Sequence, residues 1–226
     1  MNPKQCAADA ALSYVKNGMV VGLGTGSTAD YFLQALGNAL KSGKLTGIRG
    51  VPTSLQSHRR AQELHIPLAT LLECPNPDVT IDGADEIDPQ MNLIKGLGGA
   101  LLREKIVAQN SRKLVIIADQ SKVVTRLGEK SPLPVEVTIF GHEIQKSFLR
   151  SLGAEPTLRR DPVGKVFVTD NGNHIYDCRF ASSFDAIGTE SRLKSRAGIV
   201  ETGLFLNIAQ IVVIGNDQIA EIRSRS

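Results

Sequence analysis

Short apolar runs alternate with segments of helical periodicity through the first half of the chain. Continuous apolar runs of strand length predict buried strands, and apolar residues three and four positions apart predict amphipathic helices. The pattern predicts helices at residues 4–17, 27–40, 54–64 and 99–110, and strands at residues 19–23, 48–51, 78–81 and 113–118. Strands that alternate with helices in this way are typical of a parallel sheet with helices on both faces.

The pattern changes after Pro132 and Pro134. It predicts helices near residues 144–152 and 185–195, strands at residues 135–140, 157–158 and 199–205, and a hairpin with arms at residues 166–169 and 174–177. Asn171 and Gly172 supply the turn that a tight hairpin needs. The order strand, helix, two strands, helix, strand predicts a ferredoxin-like α+β unit. Residues 211–214 predict a buried strand that returns to the main sheet, so the smaller unit is inserted near the end of a larger α/β domain.

Composition narrows the classes of partner. The net charge of +3 is too small to indicate nucleic acid, and the basic runs at residues 58–60 and 158–160 lack interleaved aromatic residues, which predicts solvated faces. No apolar run approaches the roughly 18–20 residues of a membrane span, and the first residues lack the layout of a secretory signal. We therefore expect a soluble intracellular protein.

Cysteine and histidine residues give no sign of a metal site. The three cysteines are far apart and form no CxxC motif, which fits reduced thiols and leaves a nucleophilic cysteine as the lesser alternative. The four histidines show no ligand spacing, so we expect them at the surface or at caps. These residues are Cys6, Cys74, Cys178, His58, His65, His142 and His174.

A glycine-rich loop at residues 22–28 lies between a predicted strand and a predicted helix. Such a loop presents backbone N–H groups to an anion, and its threonine and serine hydroxyls add donors, so phosphate is a suitable ligand. A dinucleotide fingerprint would need glycine in place of Ser27, and a P-loop would need a lysine that is absent. The alternative is a tight strand–helix turn without a ligand.

Carboxylates are concentrated where the strand at residues 78–81 ends. Asp82, Asp85, Glu86 and Asp88 follow this strand closely. An EF-hand register fails because Pro89 stands where the bidentate glutamate belongs. A magnesium site and an aspartate-rich turn with side-chain caps both remain open from this motif alone.

A second glycine-rich segment, residues 95–105, begins with Lys95 and leads into a helix that carries Glu104. A helical glutamate between basic residues is usually a solvated ion pair. Here Lys122 also follows a predicted strand, and the carboxyl ends of parallel strands meet in one crevice. Carboxylates, lysines and exposed backbone N–H groups in one crevice indicate proton transfer next to a carbonyl of an anionic substrate.

Together these motifs resemble ribose-5-phosphate isomerase, type A. The resemblance is carried by residues 24–29, 82–88, 95–105, 131–137, 169–173 and 203–205 and runs from about residue 4 to residue 215. It implies a Rossmann-like domain of residues 1–130 and 207–226 and a ferredoxin-like lid or oligomerisation domain of residues 131–206. It also implies a homodimer or homotetramer that interconverts D-ribose 5-phosphate and D-ribulose 5-phosphate without a metal or organic cofactor.

The resemblance also implies a role for each matching residue. Glu104 would be the base that moves a proton between C2 and C1 through a cis-enediolate. Asp82 would assist ring opening, with Asp85 in support, and Lys95 and the N–H groups of residues 96–98 would stabilise the enediolate oxygen. The residues implied to bind substrate are Lys4, Thr25, Gly26, Ser27, Thr28, Gly83, Ala84, Gly96, Leu97, Gly98 and Lys122.

Two other functions compete with this interpretation. A coenzyme A transferase-like enzyme has a related architecture and uses a glutamate as a nucleophile, and a non-catalytic sugar-phosphate sensor would keep the phosphate loop. The chain length and the aspartate motif at residues 82–85 favour the isomerase over the transferase. A cytoplasmic location is expected, with the plastid stroma as the alternative for a mature plant form. No nucleic-acid or membrane partner is expected.

Overall fold

The computed structural model describes residues 2–225 and contains two compact units. The first unit comprises the described chain up to Ala84, the segment Arg103–Lys122 and the chain from Ile208 onward. The second unit comprises Asp85–Leu102 and Val123–Asn207. Among the described residues, no helix has the length and apolar character that crossing a membrane requires.

Within residues 2–225, the two units contain thirteen strands and six α-helices. The helices are α1 (Pro3–Ala11), α2 (Ser27–Lys41), α3 (Leu55–Glu63), α4 (Leu101–Asn110), α5 (His142–Ser151) and α6 (Ala186–Lys194). The strands are β1 (Val20–Leu23), β2 (Arg49–Pro52), β3 (Val79–Gly83), β4 (Glu86–Ile87), β5 (Leu93–Ile94), β6 (Leu114–Asp119), β7 (Leu133–Val137), β8 (Ala154–Leu158), β9 (His174–Phe180), β10 (Ile199–Thr202), β11 (Leu204–Phe205), β12 (Ile211–Gly215) and β13 (Ala220–Ser224). Short 3₁₀ helices lie at Leu12–Tyr14 and Gln120–Lys122.

The first unit has one six-stranded sheet in the order β13-β12-β6-β3-β1-β2. All neighbouring pairs are parallel except β12 and β13. Every residue of β1 and β12 is buried, as expected for parallel strands covered on both faces. Phe32 and Leu36 of α2 pack into the same core as Ile81, Val115 and Val213 of the sheet. The predicted parallel α/β arrangement is confirmed.

The second unit contains a four-stranded antiparallel sheet in the order β10-β7-β9-β8. Its elements follow one another as strand, helix, two strands, helix and strand. Leu149 of α5 and Leu193 of α6 pack into one core with Val135 and Tyr176 of the sheet. The ferredoxin-like prediction is therefore confirmed.

Several predicted strands end differently in the structure. The predicted hairpin is wrong in its first arm, because only Val166 forms a bridge, to Arg160, and β9 pairs instead with β7 and β8. The strand predicted at residues 135–140 lies instead at Leu133–Val137, and Phe140 is 95% exposed. The prediction was wrong at this end because apolar character alone does not distinguish a buried strand from an exposed turn. The helix predicted to reach residue 17 ends at Ala11 and continues as a 3₁₀ turn.

A three-stranded sheet in the order β11-β5-β4 was not predicted. Its strands have two residues each, which is too short for a periodic pattern. The predicted strand at residues 199–205 is divided between two sheets at Gly203. A Cβ on Gly203 would lie 2.3 Å from the carbonyl oxygen of Lys95, so the close approach of the two backbones requires glycine here.

Candidate active site

The glycine loop that follows β1 packs tightly against the carboxyl end of β3. A Cβ on Gly24 would lie 2.3 Å from Asp82 Oδ1. The N–H of Gly24 donates to the carbonyl of Ile81 at 3.0 Å, and the N–H of Thr25 donates to Asp82 Oδ1 at 3.0 Å. Glycine is therefore required at position 24 because the loop lies directly on a carboxylate of the predicted site.

Asp82 is completely buried, and its carboxylate is held by backbone groups. Its Oδ1 accepts the N–H of Thr25 and, at 2.7 Å, the N–H of Gly83. Two backbone donors on one oxygen fix the plane of the carboxylate. Ala84 follows Gly83 at the end of the first unit.

The hydroxyl of Thr25 joins the loop to the neighbouring strand. It lies 2.8 Å from Thr53 Oγ1 and 2.8 Å from Ser54 Oγ, and Thr53 Oγ1 donates to the carbonyl of Leu23 at 2.9 Å. Thr53 and Ser54 are buried and were not among the predicted site residues. Their only sequence signal is a pair of hydroxyl residues between a strand and a helix, which is equally typical of a helix cap.

Lys4 and Ser27 lie together where α1 and α2 begin. Gly26 is the N-cap of α2 with φ of 106°, and Ser27 and Thr28 form its first turn. Lys4 Nζ donates to Ser27 Oγ at 2.9 Å. Ser27 is exposed whereas Thr28 is buried. A lysine and a hydroxyl at the N-terminus of a helix are suited to an anion.

A cavity of about 290 Å³ adjoins Lys4. It is bounded by the start of α1, the turn after β6 and the turn after β12. The turn after β6 is shaped by Asp119, whose Oδ1 accepts the N–H of Ser121 at 2.9 Å and also the Ser121 hydroxyl. This turn leads directly to Lys122.

The charges of both lysines act on Asp119. Burial works to raise the pKa of this carboxyl group, but hydrogen bonds from Ser121 and the positive charges of Lys122 and Lys4 outweigh it and lower the pKa below its ordinary value. The structure therefore places two cations and an ionised carboxylate at the same edge of the sheet. Both lysines therefore lie close enough to Asp119 for their charges to act on its carboxylate.

Glu104 lies in the first turn of α4 and is 3% exposed. A Cβ on Gly22 of β1 would lie 2.9 Å from Val107 Cγ1, and Thr80 Oγ1 lies 2.6 Å from the hydroxyl of Ser111, just after the helix. These contacts orient α4 so that its first turn extends toward the carboxyl end of β3, with about 1.5 Å of rise per residue. Glu104 precedes Val107 by about one turn and so lies at the end of α4 nearer the carboxyl end of β3. The alternative of a solvated ion pair is wrong.

The second unit carries Asp85 directly before β4 and Lys95 directly after β5 of its small three-stranded sheet. Lys95 is 3% exposed, its N–H donates to the carbonyl of Gly203 at 2.9 Å, and its Nζ lies 5.4 Å from the centroid of the Phe205 ring. The N–H of Asp85 donates to the carbonyl of Ile94 at 2.9 Å. The backbones of both residues are therefore fixed by hydrogen bonds, to Ile94 of β5 and to Gly203 just before β11.

The loop at residues 96–99 has a defined conformation. Gly96 and Gly99 have φ of 103° and 82°, and the N–H of Gly99 donates to the carbonyl of Gly96 at 2.9 Å. The N–H of Leu97 donates to Asp85 Oδ2 at 2.9 Å. Within residues 2–225, the N–H of Gly98 has no hydrogen-bond partner and Gly98 is exposed. Of the predicted donor residues 96–98, Leu97 uses its N–H for Asp85 and Gly96 is buried, whereas Gly98 is exposed.

The other two carboxylates that follow β3, those of Glu86 and Asp88, hold nearby backbone segments by accepting their N–H groups. Buried Glu86 accepts the N–H groups of Gly128, Lys130 and Ser131, and Asp88 accepts the N–H groups of residues 90 and 92. These two residues match the aspartate-rich turn with side-chain caps. No three His, Cys, Asp or Glu side chains in the described part of the chain are grouped so that they could hold a metal ion.

Two expectations about exposed residues are wrong. Arg159 was expected on a solvated face, but its side chain is 10% exposed and pairs with Asp177. His174 was expected at the surface or at a cap, but it is buried and contacts the ring of His142 at a centroid distance of 4.9 Å. In both cases the partner lies on another strand or helix, so the local sequence carries no sign of it.

Comparison with known proteins finds relatives that match most of the chain. The family model for ribose 5-phosphate isomerase A (phosphoriboisomerase A) matches residues 49–219. A ribose-5-phosphate isomerase A from Roseiflexus sp. (strain RS-1) is 50% identical, and the match covers 99% of this chain and 96% of that protein. A probable ribose-5-phosphate isomerase 2 from Arabidopsis thaliana is 44% identical, and the match covers 98% of this chain and 86% of that protein.

Solved structures extend the similarity to the whole fold. A D-ribose-5-phosphate isomerase in complex with phospho-erythronic acid has a TM-score of 0.96, with 39% identity over 100% of both chains. The ribose 5-phosphate isomerase from Plasmodium falciparum has a TM-score of 0.94, with 40% identity over 99% of this chain and 98% of its own. The match of family model, sequence and fold over nearly the whole length shows that this chain belongs to the ribose 5-phosphate isomerase A family.

Proposed function

We propose that this protein interconverts D-ribose 5-phosphate and D-ribulose 5-phosphate, in the non-oxidative pentose phosphate pathway or the Calvin cycle. Family membership supports the reaction. The observation that carries it within the structure is the pair of buried carboxylates: Asp82 at the end of β3, and Glu104 on the helix turn directed toward that end. Carboxylates shielded from water are suited to move a proton at a carbon atom next to a carbonyl.

In this proposal Glu104 is the base. It removes a proton from C2 of the open-chain aldose and returns it to C1, and a cis-enediolate is the intermediate. Asp82 assists ring opening and the movement of the hydroxyl proton, because its orientation is fixed by two backbone N–H groups. Asp85 supports this step, and its own carboxylate is held by the N–H of Leu97.

Lys95 and the N–H of Gly98 stabilise the negative charge of the enediolate oxygen. Electrostatic stabilisation by preorganised donors is usually the largest contribution to the rate enhancement by an enzyme. Lys95 is well suited because it is buried and its backbone N–H, directly after β5, is hydrogen bonded to the carbonyl of Gly203, so little reorganisation is needed during the reaction. The positive φ values of Gly96 and Gly99 support a loop whose backbone can approach a ligand closely.

The substrate phosphate binds at the beginnings of α1 and α2. Lys4 and Ser27 are already hydrogen bonded to each other, and the effect of both Lys4 and Lys122 on Asp119 supports a shared positive region. Gly26 and Thr28 line the start of α2, whose N-terminus favours negative charge. One solved relative is a complex with phospho-erythronic acid, a phosphorylated sugar acid, which supports a ligand of this class.

The test is direct conversion of ribose 5-phosphate to ribulose 5-phosphate by the purified protein, followed by absorbance with EDTA present. We expect fast turnover with the chelator present. Binding of the sugar phosphate without turnover by folded protein would instead identify a sensor. Turnover that appears only after magnesium is added would contradict the metal-free mechanism. A covalent thioester trapped by hydroxylamine would identify a transferase.

We also propose that the protein is a homodimer or homotetramer and that residues 131–206 act as the lid and oligomerisation domain. Exposed apolar residues of this segment support the contact between subunits: Phe140 is 95% exposed, Ile144 62% and Ile139 51%. Analytical ultracentrifugation should give a multiple of the 24.3 kDa chain mass. Replacement of Phe140 by aspartate should shift the protein toward monomer.

The bacterial relatives support a cytoplasmic location, and the plant relative is the ground for the plastid stroma as the alternative. Immunodetection in fractionated source cells would distinguish the two compartments, since stromal protein separates with intact plastids. A membrane-pellet location resistant to salt would contradict both.

A further inference from the structure

Arg159 contacts the backbone of the loop at residues 96–99 from within the second unit. It directly follows β8, and its side chain is 10% exposed. Its Nη1 donates to the carbonyl oxygen of Gly96 at 2.9 Å and to that of Leu97 at 3.1 Å. One guanidinium nitrogen thus holds two successive peptide groups of the loop.

Asp177 and Phe167 hold the guanidinium in place. The carboxylate of Asp177 on β9 accepts from Nε at 2.9 Å and also from Nη2, so the pair is bidentate. The guanidinium carbon lies 5.8 Å from the centroid of the Phe167 ring. The same ring packs on the loop, because a Cβ on Gly99 would lie 2.4 Å from Phe167 Cζ. Arg159, Asp177 and Phe167 together support the loop from one side.

The geometry of the peptide bond relates the carbonyl groups that face Arg159 to the N–H groups on the opposite side of the loop. In a planar trans peptide, the N–H points away from the carbonyl of the preceding residue. Because the carbonyls of Gly96 and Leu97 point toward Arg159, the N–H groups of Leu97 and Gly98 point away from it. The first of these donates to Asp85 Oδ2 at 2.9 Å. The second has no partner in the described chain.

We propose that Arg159 is a positioning residue for the enediolate site: by holding the carbonyls of Gly96 and Leu97, it directs the N–H of Gly98 toward the developing oxyanion and the N–H of Leu97 toward Asp85. This inference rests on the proposed function. Arg159 itself touches neither the substrate nor the reacting atoms. The charge-assisted hydrogen bond to the Leu97 carbonyl also polarises that peptide group and strengthens Gly98 as a donor.

A purely structural role makes a different prediction. An arginine–aspartate pair that only stabilises the fold would change the melting temperature and leave the kinetics of the folded enzyme unchanged. A positioning role lowers kcat and leaves substrate binding nearly unchanged, because the donor matters most when charge has developed on the oxygen. The ratio of the two kinetic parameters therefore distinguishes the two roles.

The experiment compares Arg159→Lys and Arg159→Gln with Arg150→Gln as the matched control. Arg150 also pairs with a carboxylate in the second unit, Glu155 at 2.8 Å, but the two side chains are 53% and 66% exposed. We expect kcat to fall about 10- to 100-fold in both Arg159 variants, as for a donor that is misplaced but present. We expect KM to stay within about threefold, and the control to match the wild type.

Lysine does not rescue the activity in this proposal, although it keeps the charge. It cannot form a bidentate pair with Asp177 and hold two carbonyls at once. Affinity for phospho-erythronic acid, whose planar carboxylate resembles the enediolate, should fall in step with kcat/KM. Inhibition by inorganic phosphate should not change, since the residues proposed to bind phosphate lie in the first unit and are not altered. A rise in KM with unchanged kcat would overturn the proposal, as would full activity in Arg159→Lys.

Amide hydrogen exchange tests the proposal independently of turnover. The peptide that covers residues 96–99 should exchange faster in Arg159→Gln than in the wild type, and unchanged exchange would overturn the positioning role even if kcat falls. Should Arg159→Gln fail to fold, Asp177→Asn is the second variant, since asparagine keeps one acceptor for the guanidinium. It should show the same fall in kcat with nearly constant KM. If the wild-type protein shows no turnover, the proposed function is wrong. The hydrogen-exchange result, in contrast, tests only the role of Arg159.

Discussion

Gly24 and Asp82 approach each other so closely that no side chain fits between them. A Cβ at position 24 would lie 2.3 Å from Oδ1 of the aspartate and 2.5 Å from its Cα. The same Oδ1 accepts the N–H of Thr25 at 3.0 Å. The glycine loop and the carboxylate are therefore one assembly, and a change in the loop moves the carboxylate.

Gly24→Ala should lower both stability and activity. The added methyl group must displace the carboxylate or the end of β3, which should lower the free energy of unfolding by about 1–3 kcal/mol. Displacement of Asp82 should lower kcat about 100-fold. Urea denaturation and turnover of ribose 5-phosphate measure the two effects. Gly83→Ala is the control for stability, because its Cβ would lie 3.8 Å from the nearest atom. Wild-type stability in Gly24→Ala would contradict the close contact.

Glu104→Gln should abolish most of the turnover. Glutamine has the same shape, so the buried position next to the strand end is kept, but an amide cannot accept the C2 proton. We expect a loss of about 3–5 orders of magnitude, more than the roughly 10²–10⁴ of general-base catalysis alone, because no other group replaces it. Exchange of the C2 proton with deuterated water, followed by NMR, should be lost in parallel. Glu63→Gln, on an exposed part of α3, is the control. Near-normal turnover would remove Glu104 from the role of base.

Lys122→Ala should act mainly on binding. The lysine lies in the turn after β6 and its charge reaches Asp119, so its removal weakens the positive region for the phosphate. We expect KM to rise about 10-fold or more, with kcat changed much less. Lys113→Ala is the matched control, because this exposed lysine directly precedes β6, at the end opposite to Lys122. A fall in kcat with unchanged KM would argue against a substrate-binding role for Lys122.

The parallel sheet could be predicted because its strands carry their signal locally. Runs such as the one in β12 are apolar throughout since both faces of the sheet are covered. The carboxylate at the end of β3 and the glycine loop after β1 could also be found, because strand, loop and helix follow directly in the sequence. The shared core of α5 and α6 likewise left periodic apolar residues in both helices.

Arg159 could not be found because its partners are distant in sequence. The pair Arg159–Arg160 has the local appearance of a solvated basic run, and only the pairing of β8 with β9 places Asp177 beside the first arginine. The three-stranded sheet was missed for a similar reason. Strands of two residues are set by partners such as Gly203 and Lys95, which are more than a hundred positions apart.

The lowered pKa of Asp119 predicts a pH-dependent contribution to stability. A carboxyl group whose pKa is lower in the folded state stabilises the fold above its unfolded pKa, near the ordinary value of 3.8, and loses this contribution as the pH falls. Asp119→Asn should therefore be less stable than the wild type at pH about 7, and the difference should shrink as the pH falls below the ordinary value of 3.8. Urea midpoints across this range measure it. The group is partly exposed, so solvent screening keeps the effect small, and a difference that grows toward acid would contradict the assignment.

Cys178 should be unreactive in the folded protein. Its side chain is buried on β9, and burial, followed by the negative charge of Asp177, raises the pKa of the thiol far above its ordinary value. Only the thiolate is nucleophilic, so iodoacetamide at pH about 8 should leave Cys178 unmodified and turnover unchanged. Peptide mass spectrometry measures the labelling, and protein in concentrated guanidinium chloride, where all three cysteines are exposed, is the control. Rapid labelling of folded protein at Cys178 with a parallel loss of turnover would instead make this thiol a participant in the reaction.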